Sequence, residues 1–190
     1  MKYYCIACRT GGEAKVRAHL NKYFTRELGD LNDVKVFYPM RKMFDRRKGK
    51  KLVTDQPILP GYLMASTEVD LQDHTYGVRS IPGSYGFLRN LDKTVALKGA
   101  DLQYAAWIMG NKGIIKPSKA EYKEGEPIKV LDGPLMDLRG TILRVDRRSS
   151  RVLVAFEFAN EVRKVSMPVE FVEVSRQVAR DFSVRFIYRA

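Results

Sequence analysis

Apolar positions change their spacing along this chain in a way that divides it in two. Lys2 to Cys8 is an aromatic and apolar run of strand length, followed by Thr10-Gly11-Gly12-Glu13 and then Val16, Leu20, Tyr23 and Phe24. That spacing puts the last four on one helical face and predicts a helix to about Leu28. Thr10 with Glu13 three residues on has the form of a capping box, in which two side chains satisfy free amides at a helix start. Val34 to Tyr38 predicts a short strand closed by Pro39, and Pro60-Gly61 a turn into a strand over Tyr62 to Ser66. Leu71 to Arg79 and Asp101 to Met109 read as helices, with Ser84 to Leu88 extended between them. This order predicts an α+β unit, helices packed on an antiparallel sheet.

Beyond Glu126 the pattern becomes short β-rich runs. Pro127 to Leu131, Gly140 to Val145, Val152 to Phe158, Val162 to Met167 and Phe171 to Val174 are separated by turn signals such as Asp132-Gly133-Pro134 and Arg148-Ser149-Ser150. Five short strands in so few residues predict a small SH3-like β-barrel. Between the halves, Gly110 to Gly113 and Lys116 to Lys119 read as a linker. The expected division is a first domain over 1–110, a linker over 111–124, a barrel over 125–174 and a basic tail over 175–190.

Charge sharpens this division. The chain of 190 residues carries 34 Lys+Arg against 22 Asp+Glu, a net +12. Residues 1–120 hold 21 basic and 11 acidic side chains, whereas 121–174 hold 9 and 10. A polyanion such as nucleic acid is therefore the expected partner, chiefly of the first domain. Seven of the eleven residues from Arg41 to Lys51 are basic, a run expected to form a hairpin that attracts phosphate without reading bases. The plainer reading of Arg46, Arg47 and Lys48 there is a solvated loop. No apolar run approaches the ~18 residues of a membrane span, and Met1 to Thr10 is too short in apolar residues for a secretory leader. A cytoplasmic protein without membrane contact is expected.

The two cysteines form Cys5-Ile6-Ala7-Cys8. Zinc would need two more ligands, and His19 and His74 lack the spacing to supply them. On a strand, positions i and i+3 face opposite ways, so both thiols are expected to be small buried side chains. No metal and no cofactor is expected.

Several motifs together resemble the NusG family. They are Tyr3-Tyr4, Thr10-Gly11-Gly12-Glu13, Leu59-Pro60-Gly61-Tyr62, Val78-Arg79-Ser80-Ile81-Pro82-Gly83 and Gly86-Phe87-Leu88. Downstream, Gly125-x-x-Ile128-x-Val130-x-x-Gly133-Pro134 and Asp137-Leu138-Arg139-Gly140 resemble a KOW module. The resemblance spans about residues 2–174 and implies an NGN domain followed by a KOW barrel, in a monomeric, non-enzymatic transcription factor. It implies that the NGN domain docks on the clamp helices of bacterial RNA polymerase and touches non-template DNA. Tyr4, Leu59, Pro60 and Tyr62 are the polymerase-facing residues so implied. Arg9 and Arg79 match DNA-facing positions, joined by Arg46, Arg47 and Lys48 from the basic run. From the residues alone, Tyr62 fits a buried core position equally well, and Arg79 could pair with a carboxylate.

The barrel departs from housekeeping members of the family. Phe156 to Lys164 replaces their Ile-Phe-Gly-Arg loop, and Leu138 stands where they have Phe. In the family the KOW barrel recruits a ribosomal protein, Rho or RNA. Both changes weigh against coupling to Rho or to the ribosome, and a general NusG-type elongation and Rho-coupling factor is the alternative reading. The two changes bring the chain nearer to specialised antiterminators of the LoaP type, whose KOW module binds an RNA hairpin. Lys129, Arg139, Arg144, Arg147, Arg148, Arg151, Arg163 and Lys164 are the candidate RNA face, provided that they cluster.

Three other classes compete. An enzyme would need a phosphate loop, a nucleophile elbow or a paired acid and base, and no such motif is present. A KOW-bearing ribosomal protein would explain the barrel but not Thr10-x-x-Glu13 and Pro60-Gly61-Tyr62 upstream. A fold-switching paralogue would need a helical second half, which the Val, Ile and Phe content of Pro127 to Val174 disfavours.

Overall fold

The computed structural model describes residues 1–29, 34–47, 50–123 and 125–172; of Arg46, Arg47, Lys50 and Lys51 it describes the backbone only. The first part of the chain runs β1 (Lys2–Cys8), α1 (Glu13–Leu28), β2 (Lys35–Phe37), β3 (Met40–Arg47), β4 (Lys50–Pro57), β5 (Tyr62–Thr67), α2 (Thr75–Arg79), β6 (Ser84–Phe87) and α3 (Gly99–Gly110). It continues β7 (Ile114–Ile115), β8 (Ser118–Glu121), β9 (Lys129–Asp132), β10 (Thr141–Asp146), β11 (Arg151–Phe158) and β12 (Glu161–Phe171). Two compact units result: Met1–Pro39 with Pro57–Gly113, and Met40–Gln56 with the chain from Ile114 onward.

The first unit is built on a sheet of order β2-β5-β1-β6. β1 pairs antiparallel with β5, Tyr4 opposite Ala65, and with β6, Ile6 opposite Phe87. Alternation on β1 sends Tyr4, Ile6 and Cys8 to one face, where they pack with Val16, Leu20 and Phe24 of α1 and Val78 of α2. Cys5 points to the other face, and α3, with Tyr104, Trp107 and Ile108 buried, packs on β1. Each fully buried side chain such as Leu20 contributes roughly 1.5–3 kcal/mol by leaving water.

α1 begins differently from expectation. Glu13 is its first residue, Gly12 precedes it, and no side chain caps the helix. The capping box is absent because Glu13 starts the helix instead of sitting three residues inside it, and its carboxylate is used at long range.

The second unit holds a sheet of order β10-β11-β12-β8-β9. Val152, Val154, Phe156 and Phe158 alternate into its core, opposite Val165 and Met167 of β12. β12 is one strand where two were expected. It pairs with β11 up to Pro168, then turns parallel to β8 from Val169. Proline has no amide to donate, so a change of partner there costs the ladder little. The expected linker over 111–124 carries two strands instead. β7 pairs parallel with β3, and β8 joins β12 and β9 with Ser118 and Ala120 fully buried. β3, β4 and β7 form a separate three-stranded sheet, so the basic run lies within strands and not only at a hairpin tip. Residues 175–190 fall outside the described residues.

Candidate interaction surfaces

The Pro60-Gly61 turn leads directly into β5, and three hydrogen bonds hold it. Gly61 N–H donates to Glu13 Oε1 at 2.9 Å, Tyr38 Oη–H donates to the same oxygen at 2.9 Å, and Cys8 N–H donates to the Gly61 carbonyl at 2.8 Å. Gly61 has φ +85°, and a Cβ there would lie 3.0 Å from Thr10 Oγ1, so glycine is required on both counts. Burial opposes charge on Glu13, but the donors from Gly61, Tyr38 and the backbone outweigh it and hold the carboxyl below its usual range. Burial, then the bond to Glu13, push the Tyr38 phenol up. Sequence reading missed this junction, because Glu13 and Gly61 lie 48 positions apart.

The expected polymerase-facing residues divide. Pro60 is exposed and Tyr62 half-buried, while Leu59 is 7% exposed and belongs to the core. Tyr4 is a correction: its side chain is 0% exposed, its hydroxyl donates to Val69 O at 3.2 Å and accepts from Leu71 N–H at 3.1 Å. β1 is an inner strand covered on both faces, so Tyr4 pins the core and presents nothing to a partner. Burial raises both thiols, Cys8 to about 11 and Cys5 further, so each stays a protonated core side chain.

Arg9, just past β1, and Arg79, the last residue of α2, are both exposed. Arg9 N–H donates to Gly83 O at 2.8 Å. The side chain of Arg79 runs beside Gly86, where an added Cβ would come 3.5 Å from Arg79 Cβ. The two flank one end of β6. Arg46 and Arg47 close β3, but their side chains, and Lys48 altogether, lie outside the described residues.

In the second unit the candidate RNA residues do not form one face. Arg144 lies opposite Leu153, and Asp146 opposite Arg151, on the outer side of the sheet, away from the Val152 and Val154 core. Lys164, opposite Ala155, shares that side. Arg147 and Arg148 are exposed in the turn that joins β10 to β11. Asp146 accepts from Ser149 N–H at 2.9 Å and so shapes this turn; that bond first, then Arg151 and Arg144, keep its carboxyl low. Arg144, Arg147, Arg148 and Arg151 thus gather about one hairpin. Lys129 sits on β9, at the opposite edge of the sheet, and Arg139 precedes β10 in a loop. Arg163 lies opposite the buried Phe156 and pairs with Glu161 at 2.9 Å. These three stand apart from the hairpin cluster.

Among the described residues, no helix is long and apolar enough to cross a membrane, and no group of three or more His, Cys, Asp or Glu is placed to hold a metal ion. What the molecule offers is a pinned Pro-Gly-Tyr turn on a helix-covered sheet, and a cationic hairpin on a small β unit.

Comparison with known proteins gives the family of this two-unit chain. The family described as "Transcription termination factor nusG" matches residues 1–104. The transcription termination/antitermination protein NusG of Neisseria meningitidis is 26% identical over 180 residues, covering 92% of this chain and 97% of that one. The Bacillus subtilis protein of the same name is 27% identical over 179 residues, covering 92% and 97%. A solved structure of Thermotoga maritima NusG shares the fold at a TM-score of 0.57 and 20% identity, over 88% of this chain and 93% of the other. The chain belongs to the NusG family.

Proposed function

We propose that this protein is a transcription elongation and antitermination factor, with RNA polymerase bound by the first unit and RNA recruited by the second. The observation that carries the RNA-recruiting half is the crowding of Arg144, Arg147, Arg148 and Arg151 on one hairpin, within a stretch, residues 121–174, that holds only 9 basic against 10 acidic side chains. Guanidiniums at the two ends of a tight turn suit phosphates along an A-form groove, and an RNA hairpin is a ligand of that shape. This is the LoaP-like reading.

In the first unit, Tyr62 and Pro60 form the contact with the polymerase clamp helices, in a turn held in position by Glu13. An aromatic side chain in that place buries a large area at low entropic cost. Arg9 and Arg79 face the non-template DNA as phosphate-binding cations, and Arg46, Arg47 and Lys48 of the basic run, which belongs to the second unit, add to that charge. The factor acts as a monomer and without a cofactor.

A second reading, general termination/antitermination activity without a dedicated RNA element, draws on the names of the relatives, which match over most of the chain. Single-round transcription by a bacterial polymerase across an intrinsic terminator separates the two. Templates would be compared with and without the RNA hairpin encoded upstream of the protein's own neighbouring genes. Readthrough that needs the hairpin, and that Arg147→Ala with Arg148→Ala abolishes, supports the antiterminator. Altered elongation without hairpin dependence supports the general factor, and no effect at any concentration refutes both.

A further inference from the structure

The exposed aromatic residues of the first unit are not scattered evenly. Tyr85 is 66% exposed although it lies within β6, where Ser84, Gly86 and Phe87 are all buried. The register explains this. Cys8 pairs with Ser84 and Ala7 with Gly86, so Tyr85 is the extra residue of a β-bulge and has no partner on β1. Two local features hold the bulge: Gly86 takes φ +101°, and its N–H donates to Ser84 Oγ at 3.2 Å. β6 is also the edge strand of its sheet among the described residues.

Two arginines lie close to this bulge. Arg79 lies beside Gly86, the next residue, and Arg9 is tied through its backbone to Gly83, two residues before Tyr85. Tyr76, 84% exposed, precedes Arg79 by three positions on α2, which brings the two onto one face of that short helix. Neither guanidinium makes an ion pair with a carboxylate among the described residues. An aromatic ring turned out by a bulge, with two exposed arginines anchored at neighbouring positions, suits a ligand that combines flat π-surfaces with regularly spaced negative charge.

We infer that Tyr85 is a stacking platform for an unpaired base of single-stranded nucleic acid, with Arg9 and Arg79 holding the phosphates on either side. Tyr76 extends the same surface. This rests on the DNA-facing reading of Arg9 and Arg79 given above and adds the means of distinguishing an opened strand from a duplex. Stacked bases inside a duplex hide their faces, so only an unpaired strand can use the ring. Stacking is tolerant of sequence, because every base has a π-face.

The test is fluorescence anisotropy of the full chain with a labelled, mixed-sequence single-stranded DNA of about 20 nucleotides, beside the same sequence as duplex. Tyr85→Ala is expected to weaken single-strand binding about tenfold and to leave duplex binding and the salt dependence unchanged. Tyr85→Phe keeps the ring and is expected to bind as the wild type does. Arg9→Ala with Arg79→Ala should weaken both ligands and flatten the salt dependence. Emission of Trp107, the one tryptophan and a core residue of the same unit, reports that each variant is folded. If Tyr85→Ala binds the single strand like the wild type while the arginine variant is weakened, the stacking platform is wrong and the DNA-facing reading stands. If neither variant is weakened, both are wrong. Loss in Tyr85→Phe equal to that in Tyr85→Ala assigns the effect to the hydroxyl and also overturns stacking.

Discussion

Removing the Glu13 carboxylate tests how the first unit positions its Pro-Gly turn. One oxygen of Glu13 accepts from both Gly61 N–H and Tyr38 Oη–H, each at 2.9 Å, and the residue is 4% exposed. Glu13→Ala leaves two donors without an acceptor in a buried place. A hydrogen bond to a charged group is worth about 1.5–3 kcal/mol, and two that share one oxygen are not additive, so a loss of about 2–4 kcal/mol is expected. Glu13→Gln keeps an acceptor oxygen and loses only the charge assistance, about 1–2 kcal/mol. Because Trp107 lies in the first unit, urea unfolding followed by its emission reads that unit alone. The pH dependence follows from the sign of the shift. The folded carboxyl titrates below its unfolded value, so its contribution is complete above the unfolded pKa of about 4.5 and fades as pH falls through the lower, folded value. Glu13→Gln should remove this acid-side loss. The account is refuted if Glu13→Ala lies within about 0.5 kcal/mol of the wild type, the scatter of surface substitutions.

Three further outcomes are expected. Tyr4→Phe, which removes the acceptor for Leu71 N–H, should cost about 1–2 kcal/mol in the same urea titration and leave polymerase affinity unchanged, since the ring is fully buried. Gly133→Ala should destabilise the second unit by more than about 2 kcal/mol, read by thermal loss of far-UV circular dichroism of its strands. Gly133 has φ +98°, and its added Cβ would sit 2.8 Å from Ser118 Cα, a backbone atom that cannot swing away. Gly77→Ala would bring a methyl within 2.0 Å of Tyr23 Oη and displace the ring from its 3.1 Å contact with His74 Nδ1, at a cost of about 1–3 kcal/mol by urea unfolding.

Local periodicity was a good guide where one face of an element is buried and the other is wet. Val16, Leu20 and Phe24 on α1, and Val152 to Phe158 on β11, declare themselves by spacing alone. It failed where long-range contacts decide. Glu13 looks like half of a capping box in the sequence, but Gly11 and Gly12 let the chain turn so that its carboxylate meets Gly61 instead. β8 was missed because Ser118-Lys119-Ala120-Glu121 is a polar segment whose inward residues are small; Ser118 is buried yet satisfied, its Oγ accepting from Leu135 N–H at 2.9 Å. Tyr4 belongs to an inner strand whose both faces are covered, so alternation gives no sign of which side is free. Of the candidate site residues, Pro60, Arg9, Arg79, Arg144, Arg147 and Arg148 are exposed, and Arg151 is half-buried. The grouping of Arg144 with Arg151 depends on strand register, and the bulge that turns out Tyr85 leaves no mark in the sequence beyond Ser84-x-Gly86.

The central claim is that the first unit binds RNA polymerase through the Pro60–Tyr62 turn. Size-exclusion chromatography of the full chain with bacterial core polymerase, at micromolar concentrations of each, tests it most directly. The account predicts that the wild-type chain co-elutes with the polymerase and that Tyr62→Ala, shown to be folded by Trp107 emission, no longer does. Failure of the wild type to co-elute, or undiminished co-elution of Tyr62→Ala, would contradict it.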